Sequence, residues 1–263
     1  MTEAIYAGAS DGYDNLFARA TRLFIPALLR AGRVAPGQKV LDVATGTGAA
    51  ALAAADLVGQ SGSVTAGDIS PSMLEAARRN LKDTSIDLRL IDGQALPFPD
   101  ACFDSVICQL GLMFFPDPAR GLSEFRRALV PGGWTAVSVT TVPDRSLFAR
   151  IGAVVARYAP ESAEKLNRFF SIPDPTRMRA LFESAGFHEI GVQLESRSIA
   201  FDSFAAYFRG AENGAGLAGQ EFVRLPADLQ RRVRDEVRQG LGIEHDDQRV
   251  VIEMDVLIGS GRR

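Results

Sequence analysis

A short run near the start of the chain joins a strand to a glycine-rich turn and places one acidic residue inside the strand. The run reads VLDVATGTG over residues 40–48. An unpaired carboxylate in an apolar sheet is costly, so Asp42 is expected to face a ligand or backbone donors. Gly46 and Gly48 allow the chain to turn sharply against a small molecule, and a helix is predicted directly afterwards. The pattern is typical of a loop that binds a nucleotide-type cofactor.

The glycine pattern by itself fits more than one class of enzyme. Gly46, Gly48 and Ala51 also satisfy the G-x-G-x-x-G/A fingerprint of dinucleotide dehydrogenases, in which a later acidic residue binds a ribose. Asp68 stands at roughly the spacing expected for that residue. The loop residues therefore leave a dehydrogenase and other nucleotide-binding enzymes open.

Composition sets broad limits on the class of protein. The chain has 263 residues, of which 46% are hydrophobic, and this is enough for one large α/β domain with elaborations. The formal net charge is -3. Residues 224–238 are rich in arginine, but apolar residues recur there at helical spacing among acidic ones, which favours a solvated amphipathic helix. We therefore expect no nucleic-acid partner.

The cysteines and apolar segments predict neither a metal site nor a membrane span. Cys102 and Cys108 are the only cysteines, and their spacing is not that of a C-x-x-C metal or redox motif. Residues 1–12 show no signal-peptide pattern, and no apolar run is long enough to cross a bilayer. We expect a cytoplasmic protein without integral membrane contact. Its oligomeric state is not predicted by the sequence.

Strand and helix patterns alternate through the first half of the chain. The predicted strands are 39–43, 63–68, 86–91, 104–109 and 133–142, and the predicted helices are 47–59, 71–81 and 118–128. This alternation is typical of right-handed βαβ units, so it predicts an α/β fold with a doubly wound, mostly parallel sheet. Pro131, Gly132 and Gly133 are predicted to form a turn before the fifth strand.

The second half is mainly helical and ends in a strand pair. Helices are predicted at 145–158, 161–170 and 175–185, and strands at 188–201 and 249–258. The two strands would complete a seven-stranded sheet whose last strand is antiparallel. We predict a single domain in four parts: an N-terminal helical flap at 1–35, a cofactor-binding core at 36–142, a helical insertion at 143–187, and an edge strand pair at 188–263 with a second helical insertion at 202–248. Both insertions emerge beside the ligand crevice, so they are predicted to cover the substrate.

Five blocks in a fixed order distinguish between the enzyme classes left open above. They are VLDVATGTG at 40–48, Asp68 at a strand end, DGQALPF at 92–98, FDSVICQLGLMFFPDP at 103–118 and LVPGGW at 129–134. Together they resemble the class I S-adenosylmethionine-dependent methyltransferases, in the subgroup that includes ubiquinone and menaquinone C-methyltransferases. The resemblance covers about residues 36–142 and implies a Rossmann-like methyltransferase fold. It also implies S-adenosylmethionine as cofactor and a small-molecule acceptor that is quinone-like, phenolic or another natural product.

The resemblance implies roles for residues around the methionine and ribose of the cofactor. Asp42 and the Ala44 carbonyl would meet the methionine end, directly or through water, and Asp68 would accept hydrogen bonds from both ribose hydroxyls. Gln109 would face the sulfonium, which makes it a candidate positioning residue beside the transferred methyl group. The family often has glycine where this chain has Ala44. The loop residues implied to approach the cofactor closely are Gly46, Thr47 and Gly48.

The resemblance also implies an adenine site. Asp92 would accept from the adenine amino group, and the Gly93 N–H would donate to a ring nitrogen. Gln94 follows in the same loop. Ile69 and Met73 would sandwich the ring, although a methionine on an apolar helix face is equally typical of a hydrophobic core.

Two further residues are candidates for closing the site and for proton transfer. Tyr13 precedes an apolar helix predicted at 16–29, in which Pro26 should bend or restart the helix. By resemblance, Tyr13 lies in a helical flap over the cofactor. His245 lies in the second insertion on the crevice side, so it is eligible as a general base, although an acidic surface loop explains it equally well.

Two classes of function remain open at this stage. The first is methyl transfer to a small molecule by direct in-line displacement, which needs no covalent enzyme intermediate and no metal. The second is a protein of the same fold that does not methylate, either one that retains S-adenosylmethionine or an NAD-dependent dehydrogenase with a similar glycine pattern.

Overall fold

One seven-stranded sheet organises the described residues, 17–147 and 149–263, of the computed structural model. The strands are β1 Lys39–Val43, β2 Ser63–Asp68, β3 Asp87–Leu90, β4 Phe103–Gln109, β5 Leu129–Thr140, β6 His188–Phe201 and β7 Val250–Arg262. Their order across the sheet is β3-β2-β1-β4-β5-β7-β6. Neighbours from β3 to β5 are parallel, while β7 runs antiparallel to both β5 and β6. The predicted fold class is therefore confirmed, including the antiparallel last strand.

Helices cover the sheet, and two of them begin at capping side chains. The helices of the first half are α1 Phe17–Arg22, α2 Ile25–Ala31, α3 Ala49–Val58, α4 Pro71–Asn80 and α5 Pro118–Ala128. The Ser70 hydroxyl accepts from the Met73 N–H at the start of α4, and the Asp117 carboxylate accepts from the Arg120 N–H at the start of α5. Each cap is followed by proline at the first helical position, where the missing N–H costs nothing.

The predicted N-terminal helix is divided in two. The structure has α1 and α2 instead of one helix over 16–29, and the break falls at Leu23 and Phe24. Pro26 lies in the first turn of α2, where its fixed φ fits a helix start but would interrupt a continuous helix. Phe24 and Leu28 are buried and belong to the main core. The break thus lets α2 pack against the sheet.

The fifth strand begins earlier than its sequence predicts. Residues 131–133 lie within β5 rather than in a turn before it. Phe103 pairs with Leu129 and Ser105 pairs with Trp134, so the intervening residues bulge out of the ladder. The end of the chain stabilises this bulge, because the Arg263 N–H donates to the Gly133 carbonyl at 2.9 Å. The partner of Gly133 lies 130 residues away in the chain, so local sequence patterns do not reveal the early start of β5.

The second half adds six helices, of which Pro175–Ser184 packs on the face of the sheet against β6 and β7. Its helices are α6 Ala149–Tyr158, α7 Pro160–Asn167, α8 Pro175–Ser184, α9 Phe204–Glu212, α10 Gly216–Arg224 and α11 Ala227–Gly240. Helices of the two insertions pack on one another around buried aromatic residues such as Phe208 and Tyr207, and the Tyr207 hydroxyl donates to the Leu147 carbonyl at 2.8 Å. The division of the domain into four parts stays a prediction. Across the described residues, no helix combines the length and apolar character needed to span a membrane.

Candidate active site

An open cavity lies at the carboxyl ends of β1 to β4. The chain runs from β1 outward to β3 and then returns to place β4 on the other side of β1. Ligands of doubly wound sheets bind at such a switch point, because the loops on its two sides diverge there. The cavity is lined by Val43, Ala44, Gly46, Asp68, Ile69, Met73, Ile91, Asp92, Gly93, Gln94, Gln109, Leu110, Gly111, Phe114, Phe115 and Pro116.

Most of the residues named from the sequence lie around this cavity. Nine of the lining residues are among them: Ala44, Gly46, Asp68, Ile69, Met73, Asp92, Gly93, Gln94 and Gln109. Asp42 in β1, and Thr47 and Gly48 in the loop that follows it, do not line the cavity. His245 is exposed in the segment before β7. Tyr13 lies outside the described residues. In the described ranges, no three potential metal ligands of the His, Cys, Asp or Glu type cluster together.

Gly46 and Gly48 in the β1–α3 loop are glycines for different structural reasons. Gly46 has φ +57° and no atom within 4 Å of the position a Cβ would take, so it contributes conformation and an open approach for a ligand. Gly48 has φ +91°, and a Cβ there would lie 2.6 Å from a methyl carbon of Leu81. Gly48 therefore has a structural reason of its own, since it permits packing against Leu81 at the end of α4 and the start of α3.

Asp42 is completely buried and supports the loop from within. One carboxylate oxygen accepts from the Thr45 hydroxyl at 2.6 Å, while Oδ1 has no hydrogen-bond partner among the described residues. Burial, with a smaller contribution from the nearby Asp68 carboxylate, raises the pKa of Asp42 to about 7, against the lowering effect of the Thr45 hydrogen bond. A buried carboxylate oxygen without a partner is costly, so this atom is suited to a cationic group or an ordered water.

Asp68 connects the glycine loop to the helix that follows β2. Its two oxygens accept from the Gly46 N–H and the Ser70 N–H, each at 2.9 Å. Burial raises the pKa of this carboxyl group, against the effect of the same backbone donors. Each carboxylate oxygen can accept a second hydrogen bond, so Asp68 retains acceptor capacity toward the cavity that it lines.

The loop after β3 forms the opposite end of the cavity. Asp92 accepts from the Gln94 N–H at 2.9 Å, and the Gln94 side-chain oxygen accepts from the Asp117 N–H at 2.8 Å. The Gln94 side chain thus connects this loop to the start of α5. Phe115 packs closely over Gly93, because a Cβ on that glycine would lie 2.4 Å from the Phe115 ring. The result is a narrow apolar slot with an acidic rim.

Gln109 and the segment after β4 form the remaining wall. The Gln109 amide nitrogen donates to the Thr21 carbonyl of α1 at 2.8 Å, which connects the cavity to the N-terminal helices. Leu110 adopts φ +52°, and a short 3-10 helix follows at Leu112–Phe114. Phe114 lines the cavity and makes an edge-to-face contact with Phe169.

Sequence reasoning did not single out several of the lining residues. They are Val43, Ile91, Leu110, Gly111, Phe114, Phe115 and Pro116. Five of them lie in the 103–118 block, so the motif located the wall but not its individual members. The signal that could have found them is the position of the apolar run directly after β4, at the same sheet edge as the glycine loop.

These residues fit the chemical groups of S-adenosylmethionine. The unpartnered Asp42 oxygen, which lies behind the cavity wall, suits an ordered water that accepts from an ammonium, and the spare acceptor capacity of Asp68 suits a ribose diol. The slot at Ile69, Met73 and Phe115 suits an adenine ring, with Asp92 as an acceptor at its edge. The open space at Gly46 permits close approach of the backbone. S-Adenosylmethionine is accordingly the cofactor that this site accommodates.

Comparison with known proteins gives the same result. A family profile described as a methyltransferase domain matches residues 41–137. The demethylmenaquinone methyltransferase of Deinococcus radiodurans is 34% identical over 170 residues, which cover 57% of this chain and 68% of that protein. The ubiquinone/menaquinone biosynthesis C-methyltransferase UbiE of Teredinibacter turnerae is 32% identical over 170 residues, covering 59% and 68%. A crystal structure described as a putative methyltransferase from Bacillus halodurans superposes with a TM-score of 0.63 at 21% identity, covering 90% of this chain and 97% of that one, and it shows the common fold.

Proposed function

This chain belongs to the class I S-adenosylmethionine-dependent methyltransferases, and we propose that its acceptor is a quinol-like small molecule that is methylated at a ring carbon. The names of the relatives support this proposal, because they act on demethylmenaquinone or take part in ubiquinone and menaquinone biosynthesis by C-methylation. When bound, S-adenosylmethionine supplies an electrophilic methyl group. The protein residues then need to position the acceptor and exclude water.

We assign the donor-binding roles from the positions of the side chains. Asp42 and the glycine loop would hold the amino-acid end, and Asp68 would hold the ribose through its spare acceptor capacity. Asp92 would bind the edge of the adenine, while Gln109 would stand beside the methyl group with its orientation fixed by the Thr21 carbonyl. Tyr13 would close the site from the N-terminal segment. These assignments predict a donor that lies across the ends of four strands.

Among the described residues that line the proposed methyl end, none carries a basic side chain, which supports carbon methylation. Around Gln109, the described lining residues are Leu110, Gly111 and Phe114, and none of them can take a proton in the neutral pH range. His245 is exposed and does not line the cavity, so the proposal does not use it as a base. A quinol with an ionised hydroxyl is nucleophilic at the adjacent ring carbon. That carbon releases its proton after the new carbon–carbon bond forms, so a protein base is not required for the attack.

The test is methyl transfer from labelled S-adenosylmethionine to 1,4-naphthoquinol under anaerobic reducing conditions, with catechol as a phenolic comparison. We expect the label on a ring carbon of the naphthoquinol, located by mass spectrometry of the reoxidised product. Label found only on oxygen would contradict carbon methylation. If the protein binds S-adenosylhomocysteine but transfers no label to a quinol, the quinol-like acceptor is wrong.

A further inference from the structure

Two lining residues connect the donor cavity to the segments that cover it. Gln109 donates to the Thr21 carbonyl of α1, and Phe114 contacts Phe169 in the first insertion. Gln109 is the last residue of β4 and lies beside the proposed methyl position, and Phe114 follows in the next short helix. Gln109 and Phe114 therefore lie at the part of the cavity wall that contacts α1 and the short 3-10 helix Arg168–Phe170.

The contact between Phe114 and Phe169 has the geometry of a favourable aromatic pair. The ring centroids are 5.0 Å apart and the planes make an angle of 80°. Phe169 is buried with 6% of its surface exposed, whereas Phe114 is half-buried and faces the cavity. Such pairs contribute beyond the burial of their area, because the positive edge of one ring meets the negative face of the other.

Hydrogen bonds fix the insertion at this point. The Thr140 hydroxyl at the end of β5 donates to the Phe169 carbonyl at 2.5 Å, and the Ser171 hydroxyl donates to the Met113 carbonyl at 2.8 Å. The two 3-10 helices that carry the aromatic contact, Leu112–Phe114 and Arg168–Phe170, are thus attached to each other and to the sheet. Fixed aromatic rings lose little conformational freedom when they bind a ligand.

We propose that Phe114 forms an aromatic wall that selects a planar aromatic acceptor, and that Phe169 and Thr140 are the residues that position this wall. The inference rests on the proposed function and specifies its acceptor site. The ring of the acceptor would pack against the wall beside Gln109, with one ring carbon directed at the methyl group. Acceptors without a planar ring would lose this contact and bind weakly.

The experiment measures binding of 1,4-naphthoquinol to the protein saturated with S-adenosylhomocysteine, under anaerobic conditions. F114L and F169L should each raise the dissociation constant about three- to tenfold, the range expected for loss of one aromatic contact. The affinity of F169L for S-adenosylhomocysteine should remain within about twofold of the wild type, because Phe169 does not line the donor cavity.

Two controls separate this role from general loss of structure. F98L removes an aromatic pair of similar geometry, in which the Phe98 and Phe103 ring centroids are 5.1 Å apart and the planes make an angle of 89°. Phe98 does not line the cavity, so this variant should leave naphthoquinol binding unchanged. T140V should weaken binding and T140S should restore it, since serine keeps the hydroxyl that holds the Phe169 carbonyl.

The outcomes separate this inference from the proposed function. Unchanged naphthoquinol affinity in both F114L and F169L, an equal loss in F98L, or no naphthoquinol binding to the wild-type complex would overturn the aromatic wall. Failure of the wild type to bind S-adenosylhomocysteine, or transfer of label to no quinol at all, would contradict the proposed function instead.

Discussion

The carboxylate of Asp42 illustrates how much one residue determines in this molecule. It lies inside a strand with no exposed surface, and only one of its oxygens has a partner among the described residues. Its presence in an apolar strand was readable in the sequence as an anomaly that needs a ligand or backbone donors. The structure adds a feature that the sequence could not show, because burial raises its pKa to about 7.

This pKa predicts that Asp42 lowers the stability of the ligand-free protein at neutral pH. The carboxyl is protonated in the folded protein up to about pH 7, whereas its ordinary pKa is 3.8. The folded state therefore binds more protons between these values, and stability falls as the pH rises through this window. D42N should remove the contribution of Asp42 to that slope, leaving the part due to the raised pKa of Asp68, and raise the free energy of unfolding at pH 8 by up to about 4 kcal/mol, at 1.36 kcal/mol per pKa unit.

The measurement is urea unfolding of the ligand-free protein between pH 5 and pH 8. D56N is the matched control, because Asp56 is exposed on α3 and its substitution should leave the slope of stability with pH unchanged. An identical pH slope in D42N and the wild type would show that Asp42 is not the group responsible. We also expect D42N to weaken binding of S-adenosylhomocysteine, since its ammonium loses an anionic partner.

At the scale of the elements, the ends of β1 and β4 share one unusual backbone conformation. Each strand is followed by a non-glycine residue with positive φ, Ala44 at 58° and Leu110 at 52°. This conformation is strained for residues with a Cβ. The Ala44 Cβ packs directly against Gly111, where an added Cβ would lie 2.5 Å away. The two loops that flank the switch point are therefore fitted to each other.

We predict that substitutions at Ala44 and Gly111 are coupled. G111A should lower the free energy of unfolding by about 1–3 kcal/mol, because its Cβ would overlap Ala44 and the Cys108 sulfur, 2.9 Å away. A44G removes the first overlap, so G111A should cost at least about 0.5 kcal/mol less in the A44G background. A double-mutant cycle by urea denaturation measures this coupling energy.

Gly240 at the end of α11 provides the control. No atom lies within 4 Å of its virtual Cβ, so G240A should change stability little and should be additive with A44G. Purely additive effects of A44G and G111A would contradict the proposed fit between the two loops.

The element bounds show where sequence patterns suffice and where they fail. β1, β2 and α5 have the predicted bounds, because each combines a clear apolar pattern with caps or turns at its ends. The predicted start of β5 was wrong, since residues 131–133 are held in the sheet by hydrogen bonds to Arg263. Local patterns predict elements well when their ends are determined locally, and poorly when a distant segment completes the hydrogen bonds.

At the scale of the whole molecule, the donor side and the acceptor side differ in how far they could be predicted. The donor cavity is built from short loops whose residues follow the strands in order, so five blocks in the sequence located it. The contact of Phe114 with Phe169 joins segments far apart in the chain. Aromatic residues at such positions are equally typical of a packed core, so only the fold distinguishes the two roles.

The donor cavity is contacted by the ends of four strands, so a ligand that fills it should stabilise the molecule as a unit. A ligand that binds only the folded state, at a hundred times its dissociation constant, adds about 2.7 kcal/mol to the free energy of unfolding. For a chain of this size, that corresponds to an increase in melting temperature of roughly 5–10 °C. We expect this increase with S-adenosylhomocysteine and none with NAD at the same concentration, measured by scanning calorimetry. A comparable increase with NAD would mean that the glycine loop does not discriminate between the two nucleotides, and the donor-binding roles of Asp42 and Asp92 would then be wrong.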